Sequence, residues 1–141
     1  MKRRALTFLA ATAAAAGALT TTQAQAGPAE THNYKAKTAK LDGAKATCDL
    51  VTWGALQDHA RLTCKVKDTE ADGYQPYVVW RQDGFGEVDF GYNSEGAGHT
   101  ITASDARVNL DAGFQKIWFR TCMTTLGWDD CSNEKSWKVK R

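Results

Sequence analysis

The 141-residue sequence lacks most of the features by which a small protein announces a chemistry. Beyond its first twenty or so residues no apolar run approaches the ~18 residues that cross a bilayer, so the N-terminal run has no stop-transfer partner and a membrane role is not expected. No two cysteines stand close together. Cys48 and Cys64 are separated by fifteen residues and Cys122 and Cys131 by eight, against the roughly two to four of a zinc knuckle. His32, His59 and His99 are scattered, so neither metal nor other cofactor is expected. No Gly-rich phosphate loop, internal repeat or amphipathic helix of useful length is present.

Signatures of catalysis are equally thin. His99 lies near Ser94 and Ser104 in sequence, but no nucleophile elbow accompanies them. Glu87 and Asp89 are two apart on one strand face with Asp83 nearby, the ordinary look of a wet strand face and not of a glycosidase pair. The oxygen-rich "DGFGEVD" lacks the spacing of a calcium loop. The expectation is a protein that is not an enzyme.

What is present starts with export. Lys2, Arg3 and Arg4 precede the apolar stretch "ALTFLAATAAAAGAL", and "TTTQAQA" ends in a small-x-small pattern. Residues 1–26 therefore read as a signal peptide cleaved before Gly27, and the secreted, extracellular space is the expected location. Arg3-Arg4 also admits the bacterial twin-arginine route. Three of the 18 basic residues belong to this leader, leaving 15 against 16 acidic ones, a net charge near −1. Without a basic excess the counterion release that drives nucleic-acid binding is missing, and nucleic acid is not an expected partner. The remaining 115 residues suffice for one domain, 27–141, expected as a monomer with 27–33 as a flexible start. An even number of cysteines in such a domain implies two disulfides.

From there the chain reads at period two. In "HARLTCKVKD", Ala60, Leu62, Cys64 and Val66 alternate with Arg61, Thr63, Lys65 and Lys67. In "GAKATCDLVTW", Ala46, Cys48 and Leu50 alternate with Lys45, Thr47 and Asp49. Folding these strands about "GALQD" sets Leu50 opposite Leu62, Ala46 opposite Val66 and Cys48 opposite Cys64, inside the core and at disulfide distance. "YVVWRQ" and "EVDFGY" form a second hairpin about Asp83-Gly84, with Val88, Phe90 and Tyr92 inward and Glu87 and Asp89 outward. "SEGAGHT" is a flexible loop, "TITAS" and "ARVNL" are short strands, and "DAG" turns into the long strand "FQKIWFRTCM". Seven or eight short strands and no helix predict an all-β, antiparallel β-sandwich of immunoglobulin-like or jelly-roll-like type.

"LTCKV", Trp80 in "VVWRQDG" and Cys122 together resemble the Cys…Trp…Cys spacing of immunoglobulin-like sandwiches over about half of the mature chain. The resemblance implies an inter-sheet bridge from Cys64 to Cys122, leaving Cys48 to Cys131. The chain departs from the pattern at Arg120, where such domains carry a tyrosine two residues before the second cysteine.

The C-terminal "FRTCMTTLGWDDCSNEKSWKV" carries the candidate binding residues. A hairpin about "TTLGWD" sets Cys122 opposite Cys131, Phe119 opposite Glu134 and Trp118 opposite Lys135. Cys122 shares its face with Lys116, Trp118 and Arg120, while Ile117, Phe119 and Met123 point to the core. On the same register Cys131, Asn133, Lys135, Trp137 and Val139 share one face. The disulfide is therefore expected on the outer face with Trp118 and Trp137, rimmed by Lys116, Arg120 and Lys135, suited to a sugar ring or a protein partner. Long cationic stems that simply cover two tryptophans are the alternative. Trp128 at the turn tip has no such cover, because a large apolar ring there stays wet unless it docks. The expected function is binding of protein or glycan. The alternative is protease inhibition through the disulfide-closed loop 124–130, where preorganisation lowers the cost of binding.

Overall fold

A computed structural model describes residues 30–54, 57–107 and 116–139. The leader, the "DAG" turn and the end of "ARVNL" lie outside them. Nine strands are described: β1 (His32–Leu41), β2 (Ala44–Trp53), β3 (His59–Asp68), β4 (Pro76–Gln82), β5 (Val88–Phe90), β6 (Thr100–Arg107), β7 (Lys116–Thr124), β8 (Asp129–Cys131) and β9 (Lys135–Lys138). They form two antiparallel sheets, β1-β2-β3-β6 and β5-β4-β7, with β8 and β9 in turn pairing the free edge of β7.

The alternation of β2 and β3 determines their pairing. Ala46 faces Val66, Cys48 faces Cys64 and Leu50 faces Leu62, and the Cys48–Cys64 bridge closes inside the core. The inner face of this sheet is built of small residues (Ala39, Ala46, the two cysteines) around Leu50, Leu62 and Val66. The opposing face supplies the bulk: Trp80, Ile117, Phe119 and Trp137. Small against large lets the layers approach without voids. Hydrogen bonds then tie the layers together. Trp80 Nε1 donates to Asp105 Oδ2 (2.7 Å), Thr121 Oγ1 to the Ala39 carbonyl (3.1 Å) and Asn93 Nδ2 to the Val66 carbonyl (3.0 Å).

The chain crosses between sheets at β3–β4, β5–β6 and β6–β7. The result is a small antiparallel β-sandwich of a four-stranded and a five-stranded sheet. The bridge that the resemblance implies is absent. Cys64 points into the core, whereas Cys122 lies on the outer face of its sheet and pairs with Cys131. Two cysteines on faces turned apart cannot be joined.

Other expectations are also corrected. "TITAS" and the start of "ARVNL" form one strand, β6, because Thr100 through Arg107 stay in register with Lys67 back to Ala60. β1 begins at His32, inside the stretch 27–33 expected as a flexible start. Tyr92 does not face inward; it stacks on Tyr77 on the outer side, centroids 4.6 Å apart. Val88, although paired opposite Trp80, is exposed at the sheet edge.

The main correction concerns the C-terminal hairpin. Cys122 opposes Cys131 as expected, but beyond it the register moves by one residue. Phe119 opposes Lys135, Trp118 opposes Ser136 and Ile117 opposes Trp137. The extra residue sits in the break between β8 and β9, where the Ser132 amide donates to the Thr121 carbonyl (2.8 Å) and Ser132 Oγ accepts from the Thr121 amide (3.1 Å). Such an insertion reverses every side chain after it. Trp137 is accordingly turned into the core.

Candidate functional site

The outer face of the five-stranded sheet carries Trp118 as expected, but the ring is covered. The Arg81 guanidinium lies 5.1 Å and the Lys116 ammonium 5.0 Å from its centroid. Its indole N–H is spent on Asp83 Oδ1 at 2.9 Å. Arg81 reaches Glu134 at 3.2 Å, and Arg120 reaches Glu87 at 2.9 Å. These charges are satisfied by one another, and the shallow depression they line has no room for a water molecule.

Trp137 is 4 % exposed, stacks on Phe119 at 5.0 Å and donates from Nε1 to the Lys35 carbonyl (2.8 Å). It is core, not surface. Lys135, after the same register change, stands at the sandwich edge with Asn133, Thr38 and Lys40. The six residues expected to form one site therefore fall into four environments: a capped outer ring with Lys116 and Arg120, a buried ring, an edge lysine and the tip.

The groups that the sequence raised and set aside as catalytic lie in separate surroundings. The Ser104 hydroxyl is shared with Thr63 (2.8 Å). Glu87 is held by arginine. His99 approaches Glu95 at 3.9 Å, and no hydrogen bond among the described residues joins it to Ser94 or Ser104.

The tip is different. Leu126 is 91 % and Trp128 79 % exposed, the two most exposed large apolar side chains among the described residues. The tip is nonetheless shaped: the Thr125 hydroxyl donates to the Trp128 carbonyl, the Gly127 amide donates to the Thr125 carbonyl (3.0 Å), and the Cys122–Cys131 bridge closes its base. Gly127 has φ +110°, a conformation that favours glycine.

Three other loops reach the same end of the sandwich. The Thr124 amide donates to the Gln75 carbonyl (3.1 Å), the Asn93 amide to the Pro76 carbonyl (2.8 Å) and the Thr69 amide to the Gly43 carbonyl (2.9 Å). Gly43, in the β1–β2 turn beneath the end of β7, has φ +79°, a conformation that favours glycine. Between the loops 68–75 and 91–99 lies a cavity of about 340 Å³, lined among others by Asp68, Glu70, Tyr74, Gln75, Asn93 and Ser94. Asn93, 1 % exposed, braces its floor through bonds to the Val66 and His99 carbonyls.

No lysine or arginine occurs in segments 68–75, 91–99 or 124–130, whereas Asp68, Glu70, Asp72, Glu95, Asp129 and Asp130 do. Next to the tip, burial and the Asp129 carboxylate raise the Tyr77 phenol well above its ordinary value, and burial and Asp89 raise Tyr92. Both rings stay neutral in an acidic surround. The acidic character of this end was readable in sequence only after the topology had brought the separate loops together. No family model, curated protein or solved structure matches this chain.

Proposed function

We propose that the protein is a secreted, non-enzymatic binding module that takes a protein partner on this loop-bearing end, with Trp128 and Leu126 as anchors and the surrounding carboxylates selecting a basic surface. The observation that carries the reading is the pairing of two almost fully exposed apolar side chains with a turn held by a disulfide. A rigid tip loses little freedom on binding, and an aromatic side chain entering a pocket supplies much of an interface's energy. The two disulfides fit an oxidising environment such as the extracellular one.

Binding to an extracellular protein fraction tests it. Trp128→Ala and Leu126→Asp should each remove the captured partner, with Trp128→Ala weakening affinity by about 2 kcal/mol or more, ~30-fold. Retention of the same partner by both variants would discard the site.

Leu126 at the apex of a disulfide-closed loop also favours a second reading, inhibition of a protease that accepts an apolar residue. A panel of extracellular proteases separates the two. Inhibition abolished by Leu126→Asp but kept by Trp128→Ala identifies an inhibitor, whereas partner binding abolished by both identifies the module.

A further inference from the structure

The outer face of the four-stranded sheet carries a charge pattern that folding stability does not explain. Lys40 on β1 lies directly opposite Lys45 on β2, and Lys45 directly opposite Lys67 on β3. Like charges in opposed positions of a sheet destabilise it. Lys65 follows two residues along β3, on the same face. None of these four lysines has a carboxylate within 4.0 Å among the described residues; Asp42 in the turn and Asp49 farther along β2 form no ion pair with them. A lysine on the edge strand β1 has an account, since it discourages edge-to-edge pairing. Lys45, Lys65 and Lys67 are on the interior strands β2 and β3 and have none.

The row continues past the edge. Lys40 and Lys135, with Thr38 and Asn133, line a cleft of about 230 Å³ between β1 and the C-terminal segment. Hydroxyls surround the lysines: Thr38 and Thr47 are bonded at 3.0 Å, Thr63 and Ser104 at 2.8 Å, and Thr100 and Thr102 lie opposite Lys67 and Lys65. The neighbouring strands that carry these lysines lie about 4.8 Å apart, comparable to the advance per ring of an extended polysaccharide.

We propose that this face binds a linear anionic polysaccharide, its carboxylate or sulfate groups on Lys135, Lys40, Lys45 and Lys67 and its hydroxyls on the threonines. A single-stranded nucleic acid fits less well. It needs aromatic rings for its bases, and the tryptophan of this face, Trp53, lies at the far end under Arg61 (5.6 Å) and beside His59 (5.4 Å). The inference is independent of the Trp128 site, which lies on loops and not on this sheet.

Titration of the oxidised protein with heparin, polygalacturonate and neutral dextran tests it. Binding to heparin or polygalacturonate and not to dextran is expected. It should weaken at least ~10-fold between about 10 mM and about 0.15 M salt, as the screening length shrinks from roughly 30 Å to roughly 8 Å. Lys45→Gln with Lys67→Gln should lose at least ~10-fold in affinity while melting no lower than the parent, because a repulsion is removed. Lys40→Gln with Lys135→Gln, which empties the cleft, gives a second reading should the first pair disturb folding. Trp128→Ala should bind unchanged. Absence of binding to both anionic polymers, undiminished binding by both double variants, loss on Trp128→Ala, or tighter binding to single-stranded DNA would each overturn the proposal.

Discussion

Trp128 and Trp137 are the same residue type nine positions apart, and their surroundings assign them opposite tasks. Trp137 is buried against Phe119 with its N–H bonded to a backbone carbonyl, so truncation leaves both a cavity and an orphaned acceptor. Trp137→Ala should cost about 3–5 kcal/mol of stability. Trp128 is exposed and should change stability by no more than about 0.5 kcal/mol when replaced by alanine. Denaturant unfolding of the two variants, followed by circular dichroism, checks the contrast; a loss above 1 kcal/mol in Trp128→Ala would mean that the tip docks on its own domain. The exposure of Trp128 was legible from "TTLGWDD", whose glycine and paired aspartates mark a turn. The burial of Trp137 was not, since a tryptophan among "EKSWKVK" carries no sign of which way its strand is turned.

That sign belongs to the element. In β2 and β3 two patterns, the apolar alternation and the cysteine spacing, specify one register, and the structure has it. In the C-terminal hairpin the disulfide specifies the register only up to Cys131. The extra residue beyond it rests on bonds of the Ser132 amide and hydroxyl to the Thr121 backbone, which no apolar period reports. Likewise the Cys…Trp…Cys spacing pointed to a sandwich and to the wrong bridge, because spacing locates strands while face parity decides which thiols meet. Deleting Asn133 makes the register continuous and tests this. Trp137 and Val139 should turn outward, and the variant should lose stability on the scale of Trp137→Ala in the same unfolding measurement. Unchanged stability would show that the hairpin accommodates either register. The staples differ as well. Cys48, Cys64 and Cys122 are fully buried, whereas Cys131 is half-buried. Mild reductant followed by thiol labelling should therefore open Cys122–Cys131 first. Loop-closure entropy puts the cost at about 2.7 kcal/mol for that bridge and about 3 kcal/mol for Cys48–Cys64.

At the scale of the whole molecule, a net charge near zero conceals a separation: carboxylates gather on the loops of one end and unpaired lysines on one sheet face. Two phenols packed at the acidic end make stability depend on alkaline pH. Tyr77 on β4 and Tyr92 beyond β5 stack on each other and face Asp129 of β8 and Asp89 of β5, so three strands meet around two phenols. Burial and, after it, these carboxylates raise both phenols in the folded state above the ordinary value of about 10 that the unfolded chain keeps. Below that pH neither state has lost the protons, and the stabilising contribution is fully present. Above it the unfolded chain releases protons first, so stability falls as pH rises toward the folded-state values. Unfolding free energy measured by urea across this range should decline above pH about 10, while tyrosinate absorbance of the native protein lags behind that of the denatured chain. Tyr77→Phe removes one of the two phenols and should flatten the decline, and Asp129→Asn should bring the Tyr77 titration back toward its ordinary range. A native titration coincident with the denatured one would show that these rings do not sense the acidic end at all.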